Sequence, residues 1–131
     1  MPGEVQVAYV LAALGGALGA LARWGIAEAL PSPDGGWPWA TLLVNLTGCL
    51  LIGILSGVLA NRSPEPAWAR PFLGVGVLGG YTTWSAFAVE VVGLTDAGAV
   101  ATAAGYVVVS VVGGVLAVAA GVLAVRRRPA P

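Results

Sequence analysis

Four long apolar runs, separated by short polar or proline-rich segments, organise this chain. The first is Val5 to Leu30, interrupted by Arg23 and Glu28; the second is Trp39 to Ala60. The third is Phe72 to about Leu94, and the fourth is Ala99 to Val125. About 20 apolar residues suffice to span a bilayer as a helix, and each run reaches that length. Pro31–Pro38 reads as a loop, with prolines, paired glycines, Asp34 and Trp37. Asn61–Pro71, with Arg62, Glu65 and Arg70, reads as a second loop, and Thr95–Gly98 as a tight turn. The pattern predicts an all-α membrane protein of four transmembrane helices, one domain over residues 1–131 and no soluble appendage. A signal peptide competes for the first run, since Ala20-Leu21-Ala22 resembles a cleavage site. The charge that precedes the run is Glu4, whereas a signal peptide carries a positive one.

The third run contains the most unusual stretch, Gly79-Gly80-Tyr81-Thr82-Thr83-Trp84-Ser85-Ala86-Phe87. Paired glycines weaken a helix, and Thr and Ser hydroxyls can take over freed backbone groups. A break in the third span is therefore expected here, at membrane depth. Non-helical backbone survives there only against protein or water. Trp84 and Phe87 then fall on one face of a resumed helix. Their ring edges are electropositive, and beside hydroxyl donors they make a site suited to a small anion.

Composition sharpens this picture. The chain is 58% hydrophobic and 9% charged, against roughly a quarter charged in soluble domains. Histidine and lysine are both absent, which removes the ordinary proton-relay imidazole and the usual transition-metal ligand. The single cysteine, Cys49, cannot form a disulfide within one chain. A formal net charge of zero argues against nucleic acid as a partner. Gly74-Val75-Gly76-Val77-Leu78-Gly79 matches G-x-G-x-x-G, but a dinucleotide fingerprint needs a preceding strand and a soluble sheet. Glycine packing in a helix explains it better, as it explains the spacing of Gly15 and Gly19, Gly53 and Gly57, and Gly76 and Gly80.

Several polar side chains fall inside the spans. Asn45 lies in the middle of the second, with Thr41 and Gly48 on nearly the same face. An amide at that depth needs partners or water; a helix-to-helix hydrogen bond would supply them, and so would a pore wall. Arg23 reads either as an interfacial anchor that snorkels or as part of an anion vestibule, with the vestibule favoured. Glu90 reads as structural or interfacial rather than as a transport carboxylate. In the fourth span Tyr106 and Ser110 share a face, with Thr102 one turn earlier. Trp37 and Trp39 suit the membrane interface.

With four spans, both termini and the 61–71 loop share one side, and that side carries Arg62, Arg70 and Arg126 to Arg128. The opposite loops carry Asp34 and Asp96. The positive-inside rule then predicts both termini in the cytoplasm.

Taken in order, these stretches resemble the Fluc-type fluoride channels, the CrcB family. The likeness lies in Gly15-Gly16-Ala-Leu-Gly19-Ala-Leu-Ala-Arg23-Trp24, in Trp39-Ala-Thr41-Leu-Leu-Val-Asn45-Leu-Thr-Gly48, and in Gly79 to Phe87 with Glu90. It covers essentially the whole chain, and the third-span motif is its most specific part. The resemblance implies a fluoride-specific ion channel of a prokaryotic plasma membrane, passively exporting cytoplasmic fluoride and relieving its toxicity. It implies antiparallel dimers with pores at the dimer interface. It also implies a structural, untransported sodium ion held by the main-chain carbonyls of Gly79 and Thr82. Trp84 and Phe87 would be the aromatic pair of the pore; Asn45, Ser85, Thr41, Tyr106 and Ser110 would be its polar wall. Arg23 matches the family's first-span arginine and would sit in the vestibule. Trp84 stands where the family usually has Phe, and Ala86 where it usually has Thr. Indole is larger than phenyl and adds an N–H donor.

An antiparallel homodimer calls for a chain that inserts both ways. Five arginines fall on one side here and none in the loops of the other, so the expected partner is a second homologous subunit of opposite orientation. A small multidrug-resistance-type proton-coupled exporter is the alternative, but it needs a deep carboxylate in the first span, where Glu28 comes at the end. A scaffold subunit would use Ala, Gly and Leu where this chain has Asn45 and the aromatic–hydroxyl cluster. Enzyme chemistry has no support, as no nucleophile–base pair or metal cluster is visible. A cysteine appended at the C-terminus should stay protected from an impermeant maleimide in intact cells; labelling from outside would reverse the topology.

Overall fold

The computed structural model describes residues 2–33 and 35–125. Arg126 to Arg128 and Asp34, which enter the topology argument, lie outside the described residues. Helix α1 spans Pro2–Ala29 and α2 spans Trp39–Ala60. The third span opens as a π-helix, Arg70–Leu78, continues for one turn as α3, Gly79–Tyr81, and resumes after an interruption as α4, Trp84–Asp96. Helix α5 spans Val100–Val125. Gly3–Ala29, Trp39–Ala60, Arg70–Asp96 and Val100–Val125 are each long and apolar enough to cross a membrane. The molecule is a multi-pass, all-helical membrane protein with its third span broken.

Two pairings make the bundle. Helix α1 packs on the π-helix and α3, and α2 packs on α5. Both pairs run parallel, because contacting positions rise together along each chain segment. Gly15 lies against the Phe72 carbonyl and Gly76, Gly16 against Gly80, and Gly19 against the Val77 carbonyl. In the second pair Gly53 meets the backbone of Val118, and Gly121 meets that of Leu50 and Ile54. A methyl group at these glycines would drive into main-chain atoms that have nowhere to go. Apolar burial drives little association in lipid, so this backbone-to-backbone approach supplies the dispersion contact instead. The glycine spacings read from the sequence are packing seams.

The break falls inside the expected stretch, at its threonines rather than at its glycines. Gly79 keeps helical dihedrals (φ −66°, ψ −36°), and Gly80 lies within α3. The chain leaves the helix at Thr82 (ψ 157°) and Thr83 (φ −146°, ψ 123°). Gly80 is required for contact with α1, and β-branched threonines, which favour extended backbone, take the interruption. Trp37, just before α2, packs inward on the bundle. It stacks on Trp39 at 5.9 Å, meets Tyr106 edge-on at 6.2 Å and packs against the buried cluster of Leu42, Phe87, Leu94, Ala103 and Tyr106. After α4 the left-handed Gly98 (φ 76°) turns the chain into α5, with the Ala99 N–H donating to the Leu94 carbonyl at 2.8 Å.

Gly76→Val should lower stability by roughly 1–3 kcal/mol or more, the range for overpacking, because its neighbours are the backbone of Ala12 and Gly15. Gly25→Ala, where nothing lies within 4 Å, should be neutral. Thermal unfolding in detergent, followed by size-exclusion chromatography, checks both.

Candidate functional site

A helix interrupted at Thr82–Thr83 strands backbone groups on both sides of the gap. Each of the principal ones has an identifiable fate. Asn45, from the middle of α2, brackets Thr83: the Thr83 N–H donates to Asn45 Oδ1 at 2.9 Å, and Asn45 Nδ2 donates to the Thr83 carbonyl at 2.9 Å. The amide acts as a one-residue strand partner. The Thr83 hydroxyl caps α4 by accepting from the Ala86 N–H at 3.1 Å. The Thr82 hydroxyl folds back to donate to the Leu78 carbonyl at 2.8 Å. Arg23 Nε, from α1, donates to the Gly80 carbonyl at 3.2 Å. Gly48 gives the Thr82 side chain room, since a Cβ there would strike its methyl.

These substitutions free two carbonyls. In an unbroken helix the Gly79 carbonyl would accept from the Thr83 N–H, which here serves Asn45. The Thr82 carbonyl would accept from the Ala86 N–H, which here serves the Thr83 hydroxyl. Gly79 and Thr82 both line a half-open cavity of about 320 Å³, together with Asn45, Gly48, Cys49, Thr83, Trp84, Phe87 and Ser110. Tyr81, whose carbonyl is also released by the break, is not among its lining residues. Hard oxygen donors that have lost their helical partners suit a hard cation such as sodium in their chemistry. No cluster of three or more His, Cys, Asp or Glu side chains able to hold a metal occurs among the described residues.

The aromatic pair divides in two. Phe87 is buried (7% exposed) and touches Tyr106 with ring centroids 5.1 Å apart. Trp84 is 75% exposed and meets Phe87 at 5.1 Å with planes tilted by 41°. Beyond Phe87 lies a second polar group. Glu90 accepts from the Thr41 hydroxyl at 2.6 Å and from the Tyr106 hydroxyl at 2.7 Å. Thr41 and Tyr106 are both buried, so the carboxylate is held by two short, charge-assisted hydrogen bonds.

The structure therefore gathers Asn45, Trp84, Phe87 and Ser110 with Gly79 and Thr82 around one cavity. Thr41 and Tyr106 join it through Phe87 and Glu90. Ser85 is exposed and is not among the residues lining the cavity; its hydroxyl lies 3.3 Å from that of Thr83. Arg23 does not line the cavity; its contact is with the break itself. The sequence reads Glu90 as structural or interfacial, but leaves its two hydroxyl partners unnamed. The available signal was its spacing from Phe87, three residues on along the same helix face, which points both toward one neighbour.

Comparison with known proteins gives one consistent answer. The model of the family described as "CrcB-like protein, Camphor Resistance (CrcB)" matches residues 10–122. A protein of Bordetella petrii named fluoride-specific ion channel FluC is 45% identical over 109 residues, 83% of this chain and 84% of that protein. One of Paracoccus denitrificans with the same name is 46% identical over 104 residues, 79% of this chain and 82% of that protein. The fluoride-specific ion channel FluC 2 of Streptomyces avermitilis is 44% identical over 104 residues, 79% of this chain. The chain spans 65% of that relative's length. These relatives are named as channels, not as enzymes.

Asn45→Leu removes both bonds to Thr83 and leaves two backbone groups without partners. The expected loss is about 2–6 kcal/mol, at 1–3 kcal/mol for each stranded group, read as a lowered unfolding midpoint in detergent. Asn45→Asp keeps the acceptor but sets a second oxygen against the Thr83 carbonyl, so it too should lower the midpoint.

Proposed function

We propose that this chain, which belongs to the CrcB family, is a subunit of a fluoride-specific channel through which cytoplasmic fluoride leaves the cell passively. The observation that carries this reading is the shared cavity. Gly79 and Thr82, whose carbonyls the break frees, line the same space as the aromatic residues Trp84 and Phe87. Fluoride is small and strongly hydrated, so a pathway through lipid must replace its water with donors and ring edges. Asn45, Thr41, Ser85, Tyr106 and Ser110 supply the polar wall on either side of that aromatic pair. Arg23, a fixed positive charge at the break, favours anions on that side of the span. Glu90 holds the Thr41 and Tyr106 hydroxyls in place and so keeps the wall ordered.

The cavity of one subunit is half-open, and a second subunit in antiparallel orientation would close it. The Gly79 and Thr82 carbonyls, met by their counterparts in the second subunit, would hold a structural sodium ion. Such an ion supplies a fixed positive charge beside the anion path. The chain would sit in the plasma membrane with both termini in the cytoplasm. Arg62 and Arg70 lie toward that side, where Arg70 pairs with Glu65 at 2.6 Å. Counted along the sequence with Arg126 to Arg128, they favour a homologous partner of opposite orientation. The exporter alternative finds no support. Glu28 is exposed in the last turn of α1, and the deep carboxylate, Glu90, belongs to the third span.

Fluoride efflux from liposomes tests the reading, with this chain alone and with a companion homologue. Efflux from the chain alone establishes a self-sufficient channel. Efflux only with the companion establishes a heterodimer. Silence in both overturns the channel. Phe87→Ile should abolish flux while the protein still elutes as an assembled species. Replacing sodium with a large organic cation throughout preparation should also abolish flux, and unchanged flux would remove the sodium from the mechanism.

A further inference from the structure

We propose that the Trp84 indole N–H is a direct hydrogen-bond donor to the anion in the cavity, so that this chain grips fluoride with an N–H as well as with ring edges. The inference rests on the reading of the cavity as the path of fluoride.

Trp84 is out of place as a membrane anchor. Trp24, Trp37, Trp39 and Trp68 lie within or beside the ends of the helices or in the loops between them. Indoles there can reach interfacial water, as tryptophan belts do. Trp84 begins α4, in the middle of the third span Arg70–Asp96. An indole nitrogen only donates, and at that depth lipid tails offer it no acceptor, so an unpaired N–H is costly. Packing within the subunit does not account for it either, for the side chain is 75% exposed there.

The donors around the cavity can be followed one by one. Asn45 Nδ2 is given to the Thr83 carbonyl, and the Thr82 hydroxyl to the Leu78 carbonyl. The Thr83 hydroxyl is engaged with the Ala86 N–H and with Ser85. Thr41 and Tyr106 donate to Glu90. Of the hydrogen-bonding side chains that line the cavity, Trp84 and Ser110 remain without a protein partner among the described residues. Cys49 adds only a weak S–H donor. Phe87 fixes the indole by a tilted contact at 5.1 Å, which limits the freedom lost when an anion binds. A donor-only group also offers no lone pair to repel an anion, unlike a hydroxyl.

The test replaces Trp84 with benzothienylalanine, in which sulfur stands for the indole N–H and the ring keeps its shape. A ring that only packs is unaffected by this change. Fluoride efflux from liposomes is measured on the assembled protein. In parallel, the Trp84 indole proton is followed by NMR during titration with sodium fluoride, its resonance assigned with Trp84→Phe. The expected result is a fluoride-dependent downfield shift of that proton, absent with chloride, and a roughly tenfold or greater loss of efflux in the sulfur analogue, as one hydrogen bond to a charge is lost. No shift, or unchanged efflux in the analogue, overturns the proposal. A shift in a protein that carries no fluoride, alone or with a companion, would sustain anion binding at Trp84 and remove the channel reading instead. Neither shift nor efflux removes both.

Discussion

A helix cannot be interrupted inside a bilayer unless something replaces the hydrogen bonds that the interruption removes, and here the side chain of Asn45 does so. Its amide offers one donor and one acceptor in a plane, the complement of a single extended peptide unit. Thr83 presents that unit. Without Asn45, the third span would close into a continuous helix or strand its backbone in lipid. The amide in the second span and the break in the third are one device, built from segments 38 residues apart.

The rest of the site follows from that device. Because Thr83 turns its N–H to Asn45, Gly79 loses its helical donor; because the Thr83 hydroxyl takes the Ala86 N–H, Thr82 loses its own. The same arrangement restarts the helix at Trp84, so that Trp84 and Phe87 follow the break directly and share its cavity. Arg23 stabilises the other side of the gap through the Gly80 carbonyl. Bringing that arginine within reach depends on the glycine seam between α1 and the third span, since bulkier residues would hold α1 away. Packing and chemistry are thus coupled: the seam positions the cation, and the cation holds the break.

Glu90 shows a different use of burial. A carboxylate within a span is costly unless it is paired or hydrogen-bonded. Two hydroxyls meet it from two other helices, Thr41 of α2 and Tyr106 of α5. The acid therefore ties three spans together behind Phe87. Its cost is offset by order in the wall of the cavity.

The sequence by itself determined the membrane class, the four apolar runs, the glycine seams and the neighbourhood of the break. These are one-dimensional properties: run length, composition and spacing along a helix. It also marked Asn45, Thr41, Tyr106 and Ser110 as polar at depth, because lipid makes any such residue conspicuous. What it could not decide was pairing. Glycines and threonines in one stretch mark where the helix breaks, and only contact with α1 shows that Gly80 serves the seam while the threonines open the helix. That Trp37 meets Tyr106, and that two hydroxyls from other helices reach Glu90, appears only in the packed bundle. Hydrogen bonds between distant helices depend on rotation and register of whole elements. That is a property of the packed bundle, which no local pattern encodes.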